Sequence, residues 1–153
     1  MPQNSHLAWQ FEYQPGKIEA VGFNKGREVL RAVRETTGEP YAIRLETDKP
    51  TLRADGEEVA SVAISVVDRA GNIVPTAGNL LQFDLKGDGK IIGVGNGDPS
   101  SHGSEKASSR SAFNGLAMVL IQAGLDAGSI KLRVTSEELR SSAVTFHAPP
   151  AVF

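Results

Sequence analysis

The densest group of chemistry-bearing side chains runs from Ile91 to Gly103, "IIGVGNGDPSSHG". Three chemistries use such residues. Glycines can let a backbone cradle phosphate, Asp and Asn oxygens can hold calcium, and Asn, Asp, Ser and His can hydrogen-bond sugar hydroxyls. Spacing separates them. Gly93, Gly95 and Gly97 give G-x-G-x-G, whereas a dinucleotide loop needs G-x-G-x-x-G and then a helix whose amino end holds the pyrophosphate. Asp98-Pro99-Ser100-Ser101 follows, without a helical pattern, and Asp98 would repel phosphate. No G-K-S/T occurs. Asp84, Asp88, Asn96 and Asp98 supply hard oxygens, but without the spacing or terminal Glu of a helix-loop-helix calcium site. The loop therefore reads first as a chain reversal, with the three glycines taking backbone conformations closed to other residues. Asn96 and Asp98 would then cap turns. The alternative is a sugar site at Asn96, Asp98, Ser101, His102 and Arg110.

Hydrolytic machinery is harder to find. Ser100, Ser101 and His102 are adjacent, and neighbours on an extended chain point to opposite sides. The G-x-S-x-G elbow of a hydrolase is missing. Glycoside hydrolysis needs two acids facing each other across about 5 to 10 Å, yet Glu57-Glu58 and Glu137-Glu138 read as solvated turn residues. His6, His102 and His147 are far apart in sequence, so nothing local supports a metal site. No catalytic residue, metal or cofactor is expected. Trp9, Phe11 and Tyr13 could stack on sugar rings, but their strict alternation assigns them to a buried face.

The elements that must position these groups are strands. "LAWQFEY", "KIEAVGF", "REVLRAVR", "YAIRLE", "VASVAISVVD", "LLQFDLK", "KIIGV", "SIKLRVT" and "SAVTFH" alternate or run apolar between turn clusters such as "DRAGN" and "GDG". "AFNGLAMVLIQA" is nearly all apolar, which predicts a central strand buried on both faces. No amphipathic helix is convincing. Many short strands at regular spacing argue for a β-sandwich. "TTGEP", Thr36 to Pro40, is the expected boundary, with three strands before it and seven or eight after.

Composition narrows the function classes. The 153 residues suffice for one core, burying about 70% of the unfolded surface. A net charge of −2 with dispersed basic residues gives no footprint for nucleic acid or an anionic membrane. Cysteine is absent, which excludes disulfides and a Cys nucleophile. No apolar run reaches the length of a membrane span, and "MPQNSHLAWQ" shows no signal peptide.

Several stretches together resemble one family. "HLAWQFEYQPGKIEAVGF" resembles the strand pair that ends a β-domain after the barrel in bacterial β-galactosidases of glycoside hydrolase family 2. "GEPYAIRLETDKPTLRADGEEVASVAISVVDRAGNIVPTAGNLLQFDL", "GKIIGVGNGDPSSH" and "RSAFNGLAMVLIQA" resemble the immunoglobulin-like domain that follows it. The resemblance covers about Leu7 to Phe146. One departure is Gly103-Ser104, which stands before Glu105 where the family often has an acidic residue and proline directly after "SSH".

The resemblance implies an all-β chain. An immunoglobulin-like β-sandwich over 40–148 would be preceded by a short β segment over 7–35, the tail of an adjacent β-domain. It implies a non-catalytic accessory domain of a β-galactosidase-like parent enzyme, periplasmic or extracellular, whose catalytic glutamates lie in a barrel not contained here. Expected partners are that barrel and the other β-domains of the parent. A weak carbohydrate-binding module and an adhesin-like surface domain are the alternatives, and neither nucleic acid nor membrane is expected. Strands left without their partners would pack on the sandwich or pair with a second copy as a strand-exchanged homodimer.

Overall fold

The computed structural model describes residues 8–101, 103–104 and 106–151. The chain divides into two compact units, Met1–Thr36 and Thr37–Phe153.

In the first unit, β1 (Lys17–Asn24) and β2 (Arg27–Glu35) form an antiparallel hairpin. Lys25 and Gly26 both have positive φ, 48° and 77°, the signature of a type I′ turn that matches strand twist. Paired residues separate the faces. Lys17↔Glu35, Glu19↔Val33 and Val21↔Arg31 share one side, where Arg31 meets the Glu19 carboxylate. Ile18↔Arg34, Ala20↔Ala32 and Gly22↔Leu30 share the other.

"LAWQFEY" departs from its expected strand. Residues 8–14 form none, Leu7 lies outside the described residues, and among the described residues two strands stand where three were expected. Trp9, Phe11 and Tyr13 are 63%, 67% and 79% exposed, so the buried-face reading is corrected. Alternation prepares an apolar face, but only a second surface can bury it, and a hairpin alone supplies none.

Among the described residues, the second unit has eight strands in two antiparallel sheets. β3 (Ala42–Thr47), β4 (Val59–Val67), β8 (Leu116–Ala123) and β6 (Gly89–Gly95) form one, in the order β3-β4-β8-β6. β5 (Leu80–Lys86), β7 (Ser109–Ser111), β9 (Gly128–Thr135) and β10 (Ser142–Ala148) form the other, in the order β10-β9-β5-β7. Their inner faces bury one common core. Val62, Ile64, Val66, Val119 and Ile121 come from the first sheet; Leu81, Ile130, Leu132, Val134 and Phe146 come from the second. All ten are essentially inaccessible to solvent. The period-two pattern read from the sequence thus places its inward residues correctly in β4, β5 and β9.

Backbone hydrogen bonds cover the free edge of β10. Leu52 and Ala54 donate their N–H groups to the carbonyls of His147 and Pro149, at 3.0 and 2.9 Å. A covered edge does not recruit a foreign strand.

β8 is central, as expected, but it is buried on one face rather than two. Ala117, Val119, Ile121 and Ala123 point into the core, while Leu116 and Met118 are 44% and 48% exposed. Within the Thr37–Phe153 unit, among the described residues, the second sheet packs on its inner face and leaves the outer face open.

Candidate functional site

β6 and the loop after it carry the Gly-Asn-Asp-Ser cluster. Gly93 and Gly95 lie within β6, opposite Leu120 and Met118 of β8. Neither has a positive φ; only Gly97 does, at 76°. This corrects the expectation that all three are turn glycines. Gly97 alone uses the left-handed conformation that β-carbons disfavour, while Gly95 leaves open space on the sheet surface and the Leu120 side chain lies over Gly93.

The polar groups of the loop bind one another. Asn96 Oδ1 accepts from the Asp98 N–H at 3.1 Å, and Asn96 Nδ2 donates to the Ser111 carbonyl at 3.0 Å. Asp98 Oδ1 accepts from both the N–H and the hydroxyl of Ser100, at 2.8 and 2.7 Å. These are the local Asx and cap geometries that Asn and Asp favour in turns.

Arg110 anchors the loop from beneath. It sits on β7, paired with Leu81, and is only 9% exposed. Its Nη1 donates to Ser101 Oγ at 2.9 Å. Its Nη2 donates to the carbonyls of Val94, Gly103 and Ser104, at 3.1, 3.2 and 3.1 Å. The guanidinium lies so close to Gly103 that a β-carbon there would stand 2.6 Å from Nη1. The inserted Gly103-Ser104 pair is therefore part of the arginine's seat. Four of the five candidate sugar ligands, Asn96, Asp98, Ser101 and Arg110, come together around this loop; His102 lies outside the described residues. A buried guanidinium already engaged by four acceptors holds a loop in shape.

The hard oxygens considered for calcium do not converge. Asp88 precedes β6 and Asp98 follows it, so the strand separates them by roughly 20 Å at 3.3 Å per residue. Asp88 Oδ2 instead accepts from the Asp126 N–H at 2.7 Å. Among the described residues, no group of three or more His, Asp or Glu side chains is arranged to hold a metal ion.

Of the paired glutamates, Glu58 is set against the role of an acid catalyst. Glu58 accepts from the Arg53 N–H and from Lys49 Nζ. The Arg53 N–H, then Lys49, hold its carboxyl below the usual carboxylate range. A glycosidase acid needs the opposite shift. Glu137 and Glu138 lie in the β9–β10 turn.

One polar hub was underrated by sequence reading. Asp68, 6% exposed, accepts from the Gly38 N–H through Oδ2 and from the Ala70 and Asn72 N–H groups through Oδ1, all at 2.9 Å. The Gly38 N–H is the main cause of its lowered pKa, with Asn72 and Ala70 adding to it. "DRAGN" signalled the turn through Asp and Asn. It could not signal Gly38, thirty residues away. Beside this turn, the Arg69 guanidinium stacks 4.5 Å from the Tyr41 ring centre.

Comparison with known proteins adds the family. Residues 43–145 match "Glycoside hydrolase family 2 C-terminal domain 5". The chain belongs to this family. The matched span of the C-terminal domain runs from β3 into β10, and so takes in the two four-stranded sheets. Residues 1–30 match a "Domain of unknown function (DUF4982)". A β-galactosidase of Bacteroides ovatus is 38% identical over 95% of this chain and 17% of its own length. A β-glucuronidase of Formosa agariphila is 28% identical over 99% of this chain and 16% of its own. In three dimensions, a family 2 glycosyl hydrolase from Bacteroides cellulosilyticus superposes with a TM-score of 0.89 at 32% identity. That match covers 92% of this chain and 18% of the other. The family 2 C-terminal domain thus recurs in relatives named for two different sugars.

Proposed function

We propose that this chain is a non-catalytic accessory region of a family 2 glycoside hydrolase. Its second unit would be an immunoglobulin-like sandwich, and residues 7–35 the tail of a preceding β-domain. The observation that carries this reading is the internal use of the loop's polar groups. Arg110, Asn96, Asp98 and Ser101 hold the loop together, and Glu58 is held in its charged form. The 17% share of the Bacteroides ovatus relative supports a larger parent, with a catalytic barrel and other β-domains as partners. A β-galactoside is the favoured substrate class of that parent, because the relative at 38% identity is named for it. A β-glucuronide is the competing class. The parent would work in the periplasm or outside the cell.

Two measurements on the isolated chain test this. Incubation with nitrophenyl β-galactoside and β-glucuronide should give no turnover above a buffer blank; turnover overturns the non-catalytic reading. An amide NMR titration with galactosides should leave Gly93–Ser101 unmoved at millimolar ligand. Saturable shifts there would establish the carbohydrate-binding alternative at Asn96, Asp98, Ser101, His102 and Arg110.

A further inference from the structure

The two sheets treat their outer faces differently. On β9, a central strand of its sheet, the outward residues are Ser129, Lys131 and Arg133, all exposed. On β8, central in the other sheet, they begin with Leu116, Met118 and Leu120. The neighbours opposite these are small. Ala63 of β4 pairs with Met118, and Gly95 and Gly93 of β6 pair with Met118 and Leu120. An aliphatic ridge therefore stands between two low flanks, bounding a groove of about 560 Å³.

Gly95 is the informative residue. Its backbone needs no glycine, since its φ is not positive. Its packing needs none either, since a β-carbon there would meet no atom within 4 Å. As the last residue of β6, it leaves open backbone beside Met118. The lining argues against a sugar, which wants aromatic platforms and hydroxyl partners. The groove has no aromatic side chain, and its one polar side chain, Asn96, already uses its amide on the Asp98 N–H and the Ser111 carbonyl.

We infer that this face docks against another part of a longer glycoside hydrolase polypeptide. The occupant would be an aliphatic surface seated on Met118 and Leu120, with its backbone over Gly95. The inference rests on the accessory reading above. The length of chain outside this one supports that occupant: the matched segment is 17% of one relative and 18% of another, so most of each polypeptide lies beyond it.

The test uses the intact chain and a chimera in which it replaces the matching segment of the Bacteroides ovatus β-galactosidase. In the isolated chain, Met118→Asp should leave the melting temperature unchanged, because the side chain faces water. In the chimera, the same substitution should speed thermolysin cleavage of this segment by about tenfold, since cleavage follows the population of the opened state. Met118→Leu should not, and neither should Leu125→Asp, at a leucine 72% exposed in the β8–β9 turn. Equal cleavage of the Met118→Asp and unsubstituted chimeras overturns the docking face while leaving the accessory reading intact. Isolated chains that dimerise, and are separated by Met118→Asp, assign the face to a second copy and overturn it too. Melting of the isolated chain lowered by Met118→Asp means the chain covers the face itself, which also overturns it. An unsubstituted chimera whose grafted segment melts and is cleaved as the isolated chain does removes both readings.

Discussion

The hairpin and the sandwich are written in the same alternating code and end differently. In β4, the alternate residues Val62, Ile64 and Val66 are fully buried. In the hairpin, Ile18, Leu30 and Phe23 are 52%, 66% and 63% exposed. Alternation fixes which side chains share a face. Burial requires a second sheet, which the Thr37–Phe153 unit has and the hairpin lacks. A lone two-stranded hairpin is marginal in water. Its order rests on turn geometry and on exposed ion pairs of Glu19 with Lys17 and Arg31, and exposed pairs stabilise little.

The sharpest way to break this contrast is to remove apolar bulk from each region. Phe146→Ala should cost roughly 3–5 kcal/mol in urea unfolding, the range for deleting a buried phenylalanine. Ile18→Ala should not move the transition. Equal effects would mean that the hairpin has a buried face after all.

Two glycines give the next test. Gly115 has a φ of 75°, and a β-carbon there would stand 2.3 Å from the Val74 carbonyl oxygen. Gly115→Ala should therefore destabilise the sandwich by at least about 1–3 kcal/mol, the cost of a left-handed non-glycine residue. Gly95→Ala in the isolated chain should stay within about 0.5 kcal/mol, as for ordinary surface changes.

Arg110→Met keeps the apolar stem and removes the donors. It should lower stability by roughly 1–3 kcal/mol, the cost of leaving buried acceptors unmade. Faster amide exchange should appear at residues 96–104, with β4 and the hairpin unchanged. Uniform loss of protection would show that Arg110 supports the core instead of the loop.

The smallest effect should be pH-dependent. The folded pKa of Asp68 is depressed, chiefly by the Gly38 N–H. Its contribution is therefore present above the ordinary carboxylate value of 3.8 and is lost as pH falls through the lower folded value. Asp68→Asn should flatten that part of the acid-unfolding curve. The pKa of Glu19, lowered mainly by Lys17, should return towards its usual value in high salt, because the pair is exposed.

The sequence by itself determined most of the strands, most of their inward residues and most of the turns. Those depend on neighbours two to four residues apart, through side-chain alternation and turn chemistry. The stretches that resemble family 2 enzymes also pointed to the family, which the match over residues 43–145 bears out. Tertiary structure alone decided the rest. Trp9, Phe11 and Tyr13 alternate like a core face, yet all three are exposed. Gly95 looks like a turn residue, yet it sits in a strand beside Met118. The partners of the Arg110 guanidinium, Val94, Ser101, Gly103 and Ser104, are not legible in its spacing. Asp68 reaches back to Gly38. Each of these depends on what lies across the sheet or across the chain. Local sequence cannot encode that, because burial and hydrogen-bond partnership are properties of two surfaces brought together.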